Sequence, residues 1–171
     1  MASLIENLIS TLQSENDEYK LLLELSMEKT GIIVRGDVNA LNEIVGKEQE
    51  IVERINALEK KRIEVTGDIG IVLNKDPKTL KLEYLANALK SQPAESEALK
   101  KIHDELKETM GNMVRVNDSN KTLLQESIEM VQFEMNLVQS MKQAPVTANY
   151  SKGAYAEGNG YGSQGSFDAK Q

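Results

Sequence analysis

Cysteine and tryptophan are both absent from this chain, and aromatic residues make up only 4% of its 171 positions. Without cysteine the chain cannot form disulfides, use a thiolate nucleophile or build most structural zinc sites. So few aromatic residues are poor material for the core of a β-sandwich or barrel. Leucine, isoleucine, valine, methionine, glutamate and lysine predominate instead, which is typical of long amphipathic helices.

The sequence also has no net positive charge, no basic region near its first residues and no long apolar run. The net charge of −7 repels phosphate backbones and argues against a nucleic-acid partner. The first residues, MASLIENLIS, have no basic region before the apolar ones, so we predict no signal peptide. No uninterrupted apolar run approaches the length that spans a bilayer, so we predict no direct membrane insertion. With the absence of cysteine, these features predict a cytoplasmic protein.

The residue patterns of catalytic and cofactor sites are missing as well. The single histidine, His103, follows Lys100 at the spacing where a di-iron bundle would place a glutamate. A GxGxxG match at residues 160–165 lacks the preceding strand and following helix that a dinucleotide site requires. No pair of carboxylates stands out as an acid and base pair. We therefore predict no catalytic residue, no metal, no cofactor and no enzymatic activity.

The first predicted helix carries a heptad-like apolar row. Ser3 and Glu6 have capping-box spacing, so the helix is predicted to start after Ser3. Gly36 suits its C-terminus and Asp37 suits the N-cap of the next helix. The row consists of Ile5, Leu8, Leu12, Tyr19, Leu22 and Ile33, and its polar interruptions are Glu15, Ser26 and Lys29.

The second predicted helix has the most regular period in the chain. Its residues alternate steps of three and four, which keeps one face toward one partner helix. The row consists of Leu41, Ile44, Glu48, Ile51, Ile55, Leu58, Arg62 and Val65. Since glycine costs about 1 kcal/mol in a helix interior, Gly67 leaves open whether the helix ends there or continues to Leu73.

Two further helices complete the predicted fold. Asp76 suits an N-cap and Pro77 a first helical position, which predicts a short helix there. Pro93 then opens a final long helix over about residues 94–142. We predict an all-α fold: an antiparallel helical bundle, or coiled coil, of three long helices and one short one, forming one domain over residues 1–142. Residues 143–171 are rich in Gly, Ser and Tyr without apolar period, which predicts a flexible, disordered tail.

The last predicted helix is apolar on two sides. Its main stripe runs through Leu99, Ile102, Leu106, Met110, Met113, Asn117, Asn120, Leu124, Ile128, Val131, Met135 and Val138. The end of this stripe, from Leu124 to Val138, is called the first face, and we predict that it packs into the bundle. At about 100° per residue, other apolar residues form a second face, which begins near Leu123. The second face consists of Leu123, Met130, Leu137 and Met141, with Phe133 at its edge.

A helix that is apolar on two sides is either buried on both or binds something. One interpretation is that another helix or a dimer partner covers the second face. The other is that a partner's amphipathic helix binds it, which the adaptable methionines Met130 and Met141 favour. The asparagines in the stripe, Asn117 and Asn120, either set the register of the packed helices or mark an edge where the bundle opens.

The chain resembles the FlgN-type flagellar export chaperones over residues 4–155. The segments that carry the resemblance are LLLELSMEKTGIIVRGDVNALNEIVGKEQEIVERINALEKKR at residues 21–62 and NDSNKTLLQESIEMVQ at residues 117–132. They contain a Gly-Asp loop between helices and an Asn-x-x-Asn-x-x-Leu-Leu motif. The residues similar to those of the family are Glu48, Arg62, Asn117, Asn120, Leu123 and Leu124.

The resemblance implies a cytoplasmic, non-enzymatic chaperone. Its clients would be the hook-filament junction proteins, bound through their C-terminal helical segments and delivered to the type III export gate. The family's client region maps to the last helix, in agreement with the second face: Leu123, Met130, Phe133, Leu137 and Met141. The tail tyrosines Tyr150 and Tyr155 are candidates for docking to the gate. The alternative left open is a structural coiled-coil homodimerisation or adaptor module without a chaperone role.

Overall fold

The computed structural model describes residues 2–77, 80–89 and 92–143, and all regular structure within these ranges is helical. The helices are α1 (Ala2–Arg35), α2 (Val38–Leu73), α3 (Leu82–Ala88) and α4 (Pro93–Gln143). The predicted all-α bundle of three long helices and one short one is confirmed. The chain divides into two compact units, Met1–Glu134 and Met135–Gln171. The predicted tail lies outside the described residues except for Gln143.

A tight turn joins α1 to α2, as the sequence predicted. Gly36 adopts a φ of 66°, the left-handed conformation that favours glycine. The Asp37 carboxylate accepts a hydrogen bond of 3.0 Å from the backbone N–H of Ala40 and caps α2. The start of α1 differs from the prediction, because the helix begins at Ala2 and Ser3 lies inside its first turn. Leu4 packs partly buried against the core, so the packed region includes this first turn.

Helix α2 continues through Gly67 and Gly70 and ends at Leu73. Gly70 is buried, and a Cβ atom on it would lie 2.9 Å from the backbone oxygen of Lys75 and 2.9 Å from Cγ of Pro77. The glycine therefore gives the following turn room to fold back against the helix. By contrast, nothing lies within 4 Å of the equivalent position at Gly67.

The predicted start of the short helix is wrong. Helix α3 begins at Leu82 after Lys81, which provides no side-chain cap. Pro77 lies instead in the turn that follows α2, where its ring packs over Gly70. The prediction failed because the capping pattern at Asp76 and Pro77 does not reveal that Pro77 packs back against the buried Gly70 of the preceding helix. Pro93 does open α4, as predicted.

The main apolar core lies where the beginning of α1, the end of α2, α3 and the beginning of α4 meet. Each of its buried side chains contributes about 1.5–3 kcal/mol on transfer from water. This cluster contains Ile5, Leu8, Leu12, Val65, Ile69, Leu80, Leu85, Ala86, Leu89, Leu99 and Ile102. A smaller cluster joins the middle of α1 to α2 through Leu22, Ile51 and Ile55.

Polar side chains that interrupt the apolar rows of α1 and α2 pair with one another. Glu15 accepts a 3.0 Å hydrogen bond from Nε of Arg62, and Lys29 lies 2.7 Å from the carboxylate of Glu48. Glu15 and Lys29 are separated by the same two heptads as Glu48 and Arg62. Both ion pairs therefore fit one antiparallel register of α1 against α2.

Candidate functional site

Asn120 is a buried polar side chain that joins α4 to α1. Its Nδ2 donates a 2.7 Å hydrogen bond to the backbone oxygen of Ser26. Its Oδ1 accepts a 2.6 Å hydrogen bond from the hydroxyl of Thr30. Only 2% of the residue is exposed. A buried amide that is satisfied in this way favours one arrangement of the two helices over others.

The contacts of Asn120 extend to α2 through the ion pair at Glu48. Ser26, whose backbone oxygen binds Asn120, donates from its hydroxyl to Oε1 of Glu48 at 3.1 Å. Lys29 donates to both carboxylate oxygens of Glu48 at 2.8 and 2.7 Å. The structure thus places Glu48 and Asn120, two residues of the family resemblance, at opposite ends of one hydrogen-bonded layer across three helices. We call this arrangement the polar layer.

Arg62 and Asn117 lie outside the polar layer. Arg62 pairs with Glu15 at a second level of the α1–α2 hairpin, and burial raises the pKa of the Glu15 carboxyl above its ordinary value of 4.5, while Arg62 opposes that shift. Asn117 is exposed, so its predicted place in the packed stripe is wrong. Helical rotation accounts for the difference, because a step of three positions along the helix places Asn117 about 60° away from Asn120.

The predicted packing of the first face into the bundle is also wrong. Asn120 is the last of the four buried residues of α4, after Leu99, Ile102 and Thr109. Leu124 is half-buried, and every residue from Gln125 to Glu134 is exposed. In the second unit, every described residue from Met135 to Gln143 is exposed as well. The exposed members of the first face are Ile128, Val131, Met135 and Val138. The prediction failed because the apolar period of α4 continues beyond Asn120, the last position at which the α1–α2 hairpin buries a residue of α4.

An apolar cleft of about 420 Å³ lies between α4 and the turn that joins α1 to α2. We call it the tip cleft. Its lining is almost entirely apolar, and its one charged residue, Asp37, is already engaged as the N-cap of α2. The α4 wall comprises Leu124, Ile128 and Val131, and the opposite wall comprises Ile32, Ile33, Val38 and Leu41. Three residues of the first face, Leu124, Ile128 and Val131, therefore line an open cleft and do not pack into the bundle.

The second face is exposed along most of its length. In the first unit, Leu123 is half-buried, Met130 is exposed and 67% of Phe133 is exposed. In the second unit, Leu137 and Met141 are exposed. The two candidate gate-docking residues, Tyr150 and Tyr155, lie outside the described residues.

The described part of the chain offers little for metal chemistry or membrane insertion. No helix within residues 2–77, 80–89 and 92–143 is long and apolar enough to cross a membrane. The same ranges contain no group of three or more His, Asp or Glu side chains arranged to hold a metal ion. His103 is half-buried, and its Nδ1 lies 3.2 Å from the neighbouring carboxylate of Asp104.

Comparison with known proteins places the chain in a family. The FlgN protein family matches residues 1–158, which is most of the chain. The chain belongs to the FlgN family. Family membership supports a role of the flagellar export chaperone kind. The chain is also similar to a protein of Bacillus subtilis (strain 168) described as uncharacterized protein YvyG, with 26% identity over 140 residues, 81% of each chain. No solved structure matches the chain significantly.

The tip cleft and the partners in the polar layer were not predicted from the sequence. For the polar layer a signal existed, because Ser26 and Lys29 interrupt the apolar row of α1 just as Glu48 interrupts that of α2. Lys29 lies two heptads after Glu15, and Glu48 lies two heptads before Arg62, so this equal spacing would have paired Lys29 with Glu48. For the cleft, the apolar pattern alone does not reveal that α4 and the hairpin turn leave a gap between them.

Proposed function

We propose that this FlgN-family chain is a cytoplasmic, non-enzymatic chaperone of flagellar export. It binds the C-terminal helical segments of hook-filament junction proteins and delivers them to the type III export gate. Family membership supports the flagellar role. The observation that carries the binding step is the apolar surface of α4 beyond Asn120, which no other described helix covers.

The chemistry of this surface fits an amphipathic helix. The tip cleft offers apolar walls on two sides, so an apolar side chain of a bound helix can insert between them. Residues of the second face, such as Met130 and Phe133, add exposed apolar area in the same unit. Each side chain buried in this way contributes about 1.5–3 kcal/mol before the cost of association. Four or five such side chains therefore suffice for a useful complex.

The role of the second face in binding can be tested with an aspartate substitution. A synthetic peptide of the C-terminal helical segment of a junction protein from the source organism is titrated calorimetrically into the full chain. We expect Leu137→Asp to abolish or strongly weaken binding while helicity and thermal stability remain, because Leu137 is exposed and makes no contribution to a buried core. The matched control is Ile63→Asp, on an exposed apolar residue of α2.

Two results would count against this assignment. Unchanged affinity in Leu137→Asp would remove the second face from the binding site. A loss of helicity or thermal stability in the same variant would mean that Leu137 belongs to a packed core, contrary to its exposure.

A homodimer is the second candidate occupant of this surface. The same exposed side chains of α4 can pair with a second copy, which would make the chain a coiled-coil dimerisation or adaptor module without a chaperone role. The mass of the chain in solution separates the two functions. A monomer that binds the junction peptide supports the chaperone, whereas a stable dimer that ignores the peptide supports the adaptor.

Delivery to the export gate remains a proposal that rests on the family resemblance. Tyr150 and Tyr155 are the residues we assign to it, and both lie outside the described residues. Their substitution by alanine separates docking from binding, since the apolar surface of α4 is unchanged in such a variant.

A further inference from the structure

We propose that Asn120 acts as a latch that fixes the register of α4 on α1 and thereby sets the width of the tip cleft. The residue is a positioning residue, because it contacts Ser26 and Thr30 and does not line the tip cleft. The part of this inference that concerns partner binding rests on the proposed function. The part that concerns the position of α4 does not.

Asn120 is placed where such a latch is needed. It is the last buried residue of α4, and the preceding buried residue, Thr109, lies three turns earlier. The α4 wall of the cleft begins one turn after Asn120, at Leu124, and continues one turn further to Ile128. A change in the register or angle of α4 at Asn120 therefore moves one wall of the cleft relative to the other.

Apolar packing alone does not fix this register. The stripe of α4 has a near-heptad period, so a displaced register would again bring apolar residues against α1. A displaced Asn120 would lose the hydrogen bonds to Ser26 and Thr30. A buried amide without hydrogen-bond partners destabilises the folded state. This penalty distinguishes the observed register from the alternatives, and a leucine at the same position would remove it.

The remainder of the polar layer holds the α1 end of the latch in place. Ser26 accepts from Asn120 through its backbone oxygen and donates through its hydroxyl to Glu48 of α2. Thr30, the other partner of Asn120, also donates to the backbone oxygen of Ser26 at 3.2 Å. The latch therefore connects α4 to the α1–α2 hairpin as a whole, which also supplies the other wall of the cleft.

The experiment measures the distance across the cleft by spin labelling. The chain has no cysteine, so a label pair at Asn39→Cys and Gln132→Cys is unique. Both positions are exposed, and Gln132 lines the cleft while Asn39 follows Val38 of the opposite wall. We expect one narrow distance distribution in the otherwise unchanged chain. We expect a broader or displaced distribution in Asn120→Leu, which is close to isosteric and removes the amide.

Two controls separate the latch from a general packing effect. Asn117→Leu changes an exposed asparagine one turn earlier and is expected to leave the distribution narrow. Thr30→Val removes the hydroxyl that donates to Asn120 and is expected to broaden the distance distribution. Thr30→Ser keeps a hydroxyl at this position and is expected to give the narrow distribution of the unchanged chain. If Asn120→Leu does not fold, the two Thr30 variants carry the test. An unchanged distribution in Asn120→Leu, or identical distributions in the two Thr30 variants, overturns the inference.

Partner binding is measured separately with the junction-protein peptide. If the competent arrangement falls to about a tenth of the population in Asn120→Leu, the apparent affinity falls about tenfold. Failure of the unchanged chain to bind the peptide refutes the proposed function and leaves the distance result standing. If the unchanged chain and Asn120→Leu bind the peptide with equal affinity, the link between the latch and partner binding at the tip cleft is refuted.

Discussion

Glu15 and Arg62 illustrate how single polar residues specify the packing of this chain. Both occur at positions where the heptad rows of α1 and α2 call for apolar residues. Glu15 is 3% exposed and accepts from Nε of Arg62 at 3.0 Å. Burial raises the pKa of its carboxyl despite the guanidinium beside it. Because removing Arg62 would leave the buried carboxylate of Glu15 without its partner, the pair favours the observed register of α1 against α2 over displaced ones.

The raised pKa of Glu15 predicts a pH dependence of stability. Because the folded chain binds a proton at Glu15 more tightly than the unfolded chain does, the stability that this group provides is complete below the ordinary pKa of 4.5 and is lost as the pH rises through the raised folded pKa. We expect the free energy of unfolding of the unchanged chain to fall relative to that of Glu15→Gln across this interval. Urea unfolding at several pH values measures the difference, in which the carboxylates common to both proteins cancel. A difference that stays constant, or rises with pH, would contradict the assignment.

At the scale of elements, the long helices and the turn between α1 and α2 were predictable from the sequence, whereas the start of the short helix was not. Repeated periods in α1 and α2, together with the Gly36–Asp37 turn, carried enough signal to place both helices and their antiparallel pairing. The start of α3 escaped prediction because it depends on Pro77 packing over Gly70, a contact between a turn and a buried helix position. The exposure of α4 beyond Asn120 was not predicted for a related reason, because the apolar pattern of one helix does not show whether another helix packs against it.

Gly67 and Gly70, two of the three glycines of α2, provide the prediction at this scale. Gly67→Ala adds a Cβ with nothing within 4 Å, so we expect it to stabilise the chain by about 0.5–1 kcal/mol through helix propensity. Gly70→Ala adds a Cβ 2.9 Å from Lys75 and Pro77, so we expect a destabilisation of about 1–3 kcal/mol from overpacking. Thermal or urea unfolding of both variants measures the sign directly. Equal effects of the two substitutions would show that the turn does not pack on Gly70 in solution.

At the scale of the whole molecule, α4 has three successive parts: a beginning that packs in the main core, the hydrogen-bonded Asn120, and an end whose apolar side chains are largely exposed. The beginning of the helix, through Leu99 and Ile102, completes the main core. Asn120 then ties the helix to the hairpin through hydrogen bonds. Beyond it, α4 presents apolar side chains that no described residue covers, beside a cleft whose opposite wall comes from the hairpin turn. This FlgN-family chain therefore keeps a folded hairpin while exposing apolar side chains of α4, the surface to which we propose that a partner helix binds.

Hydrogen exchange of the full chain, with and without a saturating amount of the junction-protein peptide, tests this surface most directly. We expect backbone amides of residues 121–134 and of the hairpin turn, residues 32–41, to exchange more slowly in the complex. Residues 45–65 of α2 lie away from the cleft lining and should exchange as before. Ile128→Asp, in the cleft wall, should remove the added protection. Protection confined to residues 45–65, or a complex that leaves both the hairpin turn and residues 121–134 unchanged, would contradict the proposed binding surface.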